Sequence, residues 1–333
     1  MTFLRQIEEQ PWRLRELLAA LARPAHPLRS EAFAKLAAGR RVLFTGMGSS
    51  LYACYPARLR LAAACWETAE LIHFARRAIG EETLVVAVSQ SGETAEILAL
   101  LDRLPPPQPL VAVTNVPEST LGRRAAVTLP LQAERSAHAS SQTYVNSVAL
   151  LLALARAVEQ QPLDPLLEAT RVAAGALEDL LARSFQTSDV AVDPASHLVF
   201  LARGPSLAAA SQAALMFHEV AVRGAAAMSA PAFRHGPLEM AGPALHAVVF
   251  EPYGPTTPLV EDLAVELEGF GAKVTRIADE RHGRGDFRHQ AVDEELAPLV
   301  NIAPAQVIAH RAAVQQGRDP GVFHQTQPVT KRE

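Results

Sequence analysis

Arg41-Val42-Leu43-Phe44-Thr45-Gly46-Met47-Gly48-Ser49-Ser50 reads as a short apolar strand, a glycine turn, and a small hydroxyl residue where a helix would open. The same order returns at His197-Leu198-Val199-Phe200-Leu201-Ala202-Arg203-Gly204-Pro205-Ser206, an offset of 156 positions from Arg41 to His197. A second strand recurs as Thr83–Val88 and His246–Phe250, and a third as Leu110–Thr114 and Ala272–Ile277, both shifted by about 163 (Thr83 to His246, Val111 to Val274). Self-similarity in a fixed order at this long period marks a duplicated domain and not a short-repeat solenoid. Each run is bounded by turn residues and followed by a helical pattern, as in Thr94-Ala95-Glu96-Ile97-Leu98-Ala99-Leu100-Leu101. Strands alternating with helices imply an α/β fold whose parallel sheets are covered on both faces.

Outward from this repeat, the 333 residues suit two domains of roughly 150 residues each. The expected boundaries are an N-terminal helical arm over 1–30, a first domain with bridging helices over 31–185, a second domain over 186–317 and a tail over 318–333. The arm is expected as one amphipathic helix from about Phe3 to Leu21, equally able to pack at home or on a partner. The bridge should be a helix from Ser140 to about Gln160, a break at Pro162–Pro165, and a second helix to about Ser184.

A composition of 49% hydrophobic and 20% charged residues is globular, and a net charge of −4 leaves no bulk cationic field for nucleic acid or an anionic membrane. No nucleic-acid or membrane partner is therefore expected. The apolar run Val148–Ala155 stops at Arg156, far short of a membrane span. Met1-Thr2-Phe3-Leu4-Arg5-Gln6 lacks a secretory apolar region, so a cytoplasmic location is the expectation. Cys54 and Cys65, if both lie on a helix following Ser50, would be about 16 Å apart and behave as small core residues. No His or Cys pair has zinc-like spacing, and His282 and His289 fall in a Gly/Arg-rich stretch that reads as a solvated loop.

Without a cationic field, an anionic ligand must be held by local donors. Ser89-Gln90-Ser91-Gly92-Glu93-Thr94 directly follows the apolar strand Thr83–Val88, where open parallel sheets collect ligands. Three hydroxyls, an amide and several backbone N–H groups can converge there on one phosphate. The plain alternative is that these residues cap a helix, but capping needs one hydroxyl and not three. For Ser49 and Ser50 alone, capping and binding are equally good readings. The second copy carries Glu251-Pro252-Tyr253-Gly254-Pro255-Thr256 instead, whose carboxylate would repel phosphate, so one functional site per chain is expected.

Gly48-Ser49-Ser50, Ser89–Thr94, His218-Glu219 and Phe233-Arg234-His235-Gly236-Pro237-Leu238-Glu239 together resemble the double SIS (sugar isomerase) domain proteins. These include the isomerase half of glucosamine-6-phosphate synthase and related amino-sugar-phosphate deaminases and isomerases, and the likeness covers nearly the whole chain. It implies two tandem flavodoxin-like domains and a hexose or hexosamine 6-phosphate held by Ser50, Ser89, Gln90, Ser91 and Thr94. Gly48, Ser49, Ser140 and Lys331 are implied as further contacts, Ser140 through the loop Ser136–Ser141. For catalysis the resemblance makes Glu219 the base that moves a proton between C2 and C1, and His235 the group that opens the sugar ring. Taken alone, Glu219 on a helix is more often a surface or salt-bridged residue and His235 before Gly-Pro a turn residue, and only the resemblance reverses both readings. The chemistry is consistent with the pair: an enediol route needs one group to carry a carbon-bound proton and another to shuttle hydroxyl protons.

The resemblance implies neither metal nor organic cofactor, and a homodimer in which His235 could complete the partner's site. Departures from the family pattern are also visible. The chain opening leaves no room for a glutaminase domain with its N-terminal nucleophilic cysteine, so glutamine-dependent synthesis is not expected. The tail lysine of the family is replaced by Gln327, with Lys331 four residues on, and lysines usual near the glutamate and on the bridging helix are replaced by Met216, His218 and Gln142. The expected activity is a phosphosugar isomerase or amino-sugar-phosphate deaminase. A non-catalytic sugar-phosphate sensor and a fructosamine-6-phosphate deglycase stand as alternatives.

Overall fold

Five parallel strands form the first sheet: β1 (Arg41–Gly46), β2 (Ala64–Glu67), β3 (Thr83–Val88), β4 (Leu110–Thr114) and β5 (Val127–Pro130), in the spatial order 2-1-3-4-5. The second sheet comprises β6 (His197–Ala202), β7 (Ala225–Ser229), β8 (Leu245–Glu251), β9 (Lys273–Asp279) and β10 (Phe287–His289). Its order, β7-β6-β8-β9-β10, is the same topology over again, so the duplication read from three strand pairs extends to all five. The computed structural model describes residues 2–105, 107–134, 139–187, 190–282, 284–325 and 329–331. The chain divides into a first unit, Trp12–Thr170 with His324–Glu333, and a second unit, Met1–Pro11 with Arg171–Phe323.

Fourteen α-helices lie among the described residues. They are α1 (Phe3–Glu8), α2 (Gln10–Leu21), α3 (Glu31–Ala37), α4 (Ser49–Tyr52), α5 (Tyr55–Arg60), α6 (Thr68–His73), α7 (Ala95–Arg103), α8 (Thr120–Arg124), α9 (Gln142–Val158), α10 (Asp164–Gln186), α11 (Leu207–Glu219), α12 (Ala230–Arg234), α13 (Thr257–Gly269) and α14 (Ala297–Gln315). None is long and apolar enough to cross a membrane.

In the first unit every residue of β3, Thr-Leu-Val-Val-Ala-Val, is buried. β-branched side chains suit a strand covered on both faces, which is why this run needs no polar alternation. Helix α7 places Ile97, Leu100 and Leu101 against Leu43, Val85 and Ala112 of the sheet in one continuous apolar cluster. The second unit repeats this arrangement, with Val260, Leu263, Ala264 and Leu267 of α13 packed against Val199, Ala247 and Val249.

Three local expectations need correction. The arm is two helices, broken at Glu9 with Pro11 in the first turn of α2, where a missing N–H costs nothing. Residues 3–10 pack at home: the Phe3 ring of α1 stacks on His310, and Gln10, which opens α2, exchanges side-chain hydrogen bonds of 2.7 and 2.9 Å with Gln306. The helix after Ser50 stops at Arg60, Ala62 turns to φ +47°, and Cys65 lies on β2 paired beside Phe44. Its thiol lies close enough to that of Cys54 for the two to interact, so the two cysteines are neighbours and not 16 Å apart; both are free thiols, and Cys54 Sγ donates to the Ser50 carbonyl. His289, expected in a solvated loop, is fully buried on β10, and its ring Nδ1 bonds the Gln290 carbonyl at 2.8 Å.

Candidate functional site

The order 2-1-3-4-5 reverses direction between β1 and β3, and open α/β sheets bind ligands beyond the strand ends at such a switch point. Both hydroxyl-rich segments leave the sheet there. After β1, Gly48 adopts φ +49° and opens α4, the helix that carries Ser49 and Ser50. Gly46 is required for the approach: a Cβ on it would lie 3.0 Å from both the Ser50 Cβ and the Val88 carbonyl oxygen. Ser50 is thereby set against the end of β3, where the second segment begins.

The second segment, Ser89–Thr94, is a turn closed by its own hydroxyls. The Gly92 N–H donates to Ser89 Oγ at 3.1 Å and the Glu93 N–H to Ser91 Oγ at 3.2 Å. Each hydroxyl thus accepts from the backbone and keeps its own proton to give. Thr94 precedes α7 in the extended conformation of a cap, yet its side chain makes no capping bond. The N–H groups of Gln90, Ser91 and Thr94 have no hydrogen-bond partner among the described residues. Free N–H groups and unspent hydroxyl protons in one turn are the donor set that an oxyanion requires, and capping leaves neither. The Gln90 side chain is half-buried and also unbonded among the described residues.

Two further features frame this turn. Gly92 has φ +65°, and a Cβ there would stand 2.1 Å from Ser119 Oγ, so only glycine fits. The tail returns to the first unit, where the Ala95 N–H donates to the Thr330 carbonyl at 3.0 Å. Lys331 therefore follows directly from a residue bonded to the first turn of α7, and it is exposed. Ser140 lies before α9, and its hydroxyl shares a hydrogen bond with Thr143. Ser136–His138 and Gln327 fall outside the described residues.

The two expected catalytic residues lie in the second unit. Glu219 ends α11 and is half-buried, with its Oε2 shielded from solvent and unpartnered. Burial pushes its carboxyl up from 4.5 to about 7, because no cation or donor among the described residues compensates the lost hydration. His235 follows α12 just before Gly236, which takes φ +120°, and its side chain is exposed. No hydrogen bond joins His235 to Glu219. Where the family pattern has lysines, Met216 is fully buried and the His218 ring Nε2 lies 2.8 Å from the Ala225 carbonyl oxygen and 3.2 Å from the Ala225 nitrogen.

The corresponding switch point of the second sheet, between β6 and β8, is filled by side chains. Glu251 at the end of β8 is fully buried 3.4 Å from the Arg276 guanidinium, and burial raises its carboxyl to about 7 against the pull of Arg276. The Glu294 carboxylate sits against Gly254, where any Cβ would fall 2.3 Å from its Oε2, and 3.7 Å from the Cβ position of Gly204 in the turn after β6. A protein carboxylate thus lies between the turns that follow β6 and β8.

Two doubly wound five-stranded units, one bearing a turn with unspent hydrogen-bond donors at its switch point, define a duplicated α/β architecture. The SIS domain model matches residues 35–157 and 193–315, one span per unit, and the chain belongs to this family. It is 29% identical over 303 residues to the glutamine–fructose-6-phosphate aminotransferase (isomerizing) of Zymomonas mobilis, covering 84% of this chain and 50% of that protein. The chain thus spans about half the length of that curated relative. Among solved structures, the C-terminal domain of glucosamine-fructose-6-phosphate aminotransferase from Francisella tularensis superposes with a TM-score of 0.83 at 21% identity, over 96% of this chain and 98% of that one. The glucosamine-6-phosphate deaminase of Thermotoga maritima does so with a TM-score of 0.82 at 19% identity over the whole of both chains.

Proposed function

We propose that this protein binds a hexose or hexosamine 6-phosphate and transfers a proton between C2 and C1, as a phosphosugar isomerase or amino-sugar-phosphate deaminase. The observation that carries the reading is the unspent donor set of Ser89–Thr94, with Ser50 held beside it by Gly46. Ser50, Ser89, Gln90, Ser91 and Thr94 hold the phosphate, and Gly48 and Ser49 supply the turn that brings Ser50 in. Glu219 is the base. A carboxyl titrating near 7 is ionised often enough to take a C2 proton at neutral pH, and basic enough afterwards to return it at C1. His235 shuttles hydroxyl protons during ring opening. Related sugar-phosphate enzymes in the family, aminotransferase and deaminase alike, support the substrate class.

The test is incubation with glucosamine 6-phosphate, fructose 6-phosphate and a fructosamine 6-phosphate, following ammonia release, ketose formation and amino-acid release. Turnover of one of them is expected. Absence of turnover with all three, by folded protein that binds them, removes the enzymatic reading.

A second reading, a sugar-phosphate sensor without chemistry, draws support from Met216 and His218. Neither can form an imine with an open ketose, since one side chain is a thioether and the other an imidazole. Exchange of the C2 proton with solvent deuterium separates the two: an enzyme exchanges it and a sensor does not.

A further inference from the structure

We infer that Glu93 is the positioning residue of the phosphate loop: anchored to Thr120, it holds the turn open, while its charge works against the anion that the turn receives. The inference rests on the phosphate-binding reading and adds to it a residue whose presence that reading leaves unexplained.

A carboxylate inside an anion-binding turn repels the ligand, so its retention calls for a compensating role. The structure shows where the carboxylate goes. Glu93 Oε1 accepts from the Thr120 N–H and Oε2 from Thr120 Oγ1 at 3.0 Å, so both oxygens face the start of α8 and neither faces the turn's own N–H groups. The Thr120 N–H is one that no helical carbonyl can satisfy, because α8 begins at that residue. Ser119, the cap of α8, is already bonded to the Gly122 N–H at 3.2 Å. Glu93 therefore satisfies a donor that would otherwise be unpaired.

The rest of the turn leans the same way. The Gly92 carbonyl accepts from the Leu121 N–H at 3.2 Å, and Gly92 is pressed against Ser119. The Gln90 carbonyl accepts from the Asn115 N–H at 3.0 Å and from Thr114 Oγ1 at 3.1 Å. With its carbonyls drawn toward the end of β4 and the start of α8, the turn leaves the N–H groups of Gln90, Ser91 and Thr94 unspent. Among the described residues, Glu93 is the only side chain of the turn hydrogen-bonded to α8, and a supporting shell of this kind fixes donor geometry to a fraction of an ångström.

Anchor and charge have opposite effects on affinity, so two substitutions separate them. In Glu93→Gln the amide oxygen still accepts from Thr120 N–H and the amide nitrogen can donate to Thr120 Oγ1, while the charge is gone. Glu93→Ala loses both. With inorganic phosphate, glucosamine 6-phosphate and fructose 6-phosphate as probes in titration calorimetry on the full chain, E93Q should bind as tightly as the parent or about 3-fold tighter. E93A should bind at least about 10-fold more weakly, and Thr120→Ala should fall between E93A and the parent. A residue that merely stabilises the fold would leave all these constants unchanged, and a direct ligand would weaken in both Glu93 variants.

If E93A fails to fold, E93Q and T120A decide the matter by the same signs. Parental affinity in E93A, or equal weakening in E93Q and E93A, overturns the inference. When the parent binds and Ser91→Ala weakens it but the Glu93 and Thr120 variants do not, the positioning role alone falls. When the parent binds no probe, the phosphate-loop reading falls and takes this inference with it.

Discussion

Replacing Glu219 by glutamine tests the proposed base through stability and turnover together. The carboxyl moves from 4.5 to about 7 on folding because burial disfavours its charged form. A rise of that size is worth roughly 3 kcal/mol at about 1.4 kcal/mol per pH unit. The sign follows from linkage. Below the unfolded value both states are protonated and nothing is lost; between about 4.5 and 7 the unfolded state ionises while the folded state stays protonated, so stability falls, and above 7 the loss is complete. Glutamine has the same shape without the charge, so E219Q should be more stable than the parent by up to ~3 kcal/mol at pH 8, by less than ~1 kcal/mol at pH 5, and not at all at pH 4. Glu251, also raised to about 7, is untouched by the substitution and cancels in the comparison. Urea unfolding at the three pH values measures this. Both tryptophans, Trp12 and Trp66, belong to the first unit, so ellipticity must report the second and fluorescence serves as the internal control. Turnover should drop by about 10² to 10⁴ while sugar-phosphate affinity stays within about 3-fold. Undiminished turnover in E219Q, or a stability difference that does not depend on pH, would refute the reasoning.

Other outcomes are equally specific. Turnover of the parent should rise with pH around a midpoint near 7, since the base must be ionised, and a flat pH profile from 5 to 9 would exclude Glu219 from the step. Ser91→Ala removes a hydroxyl donor to a charged group and should weaken hexose 6-phosphate binding by about 10-fold or more in calorimetry, without lowering the melting temperature by more than a degree or two. Gly92→Ala places a Cβ 2.1 Å from Ser119 Oγ at φ +65° and should destabilise the first unit by at least ~2 kcal/mol, read from tryptophan fluorescence in urea.

Much of the fold was legible because its central strands are fully buried on both faces. β1, β3 and β4, with β6 and β8, are the largely apolar runs whose spacing revealed the duplication, and β9, though it carries Lys273, Thr275 and Arg276, is buried from Thr275 onward and keeps the same spacing. The strands at or next to the sheet edges carry weaker signals. β2 is four residues, Ala-Cys-Trp-Glu, largely exposed, and β7 is Ala-Ala-Ala-Met-Ser with no β-branched residue, so neither announces itself locally. The misplacement of Cys65 followed directly, since the helix that seemed to continue past Arg60 gives way to an edge strand. His289 was misread for a related reason: the polar composition of residues 281–289 conceals a three-residue strand whose histidine is covered by its surroundings.

At the candidate site, the types of donor were readable but not their availability. Three hydroxyls in six residues pointed to an anion. That Ser89 and Ser91 accept from their own backbone, leaving protons free, emerges only from the turn geometry. The direction of Glu93 is set by Thr120, 27 residues along the chain, and a local reading cannot supply it. A partial signal existed, because Ser119-Thr120, after the turn residues Asn115 and Pro117 that follow β4, is a helix-opening pattern that needs a partner for its first N–H groups.

The central claim is that Ser89–Thr94 receives the phosphate of a sugar ester, and amide hydrogen exchange across that segment tests it most directly. With saturating glucosamine 6-phosphate or fructose 6-phosphate, the peptide spanning residues 89–95 should show the largest slowing of exchange in the first unit, with Ser91→Ala reducing it. Binding detected by calorimetry with exchange in that peptide unchanged would contradict the account.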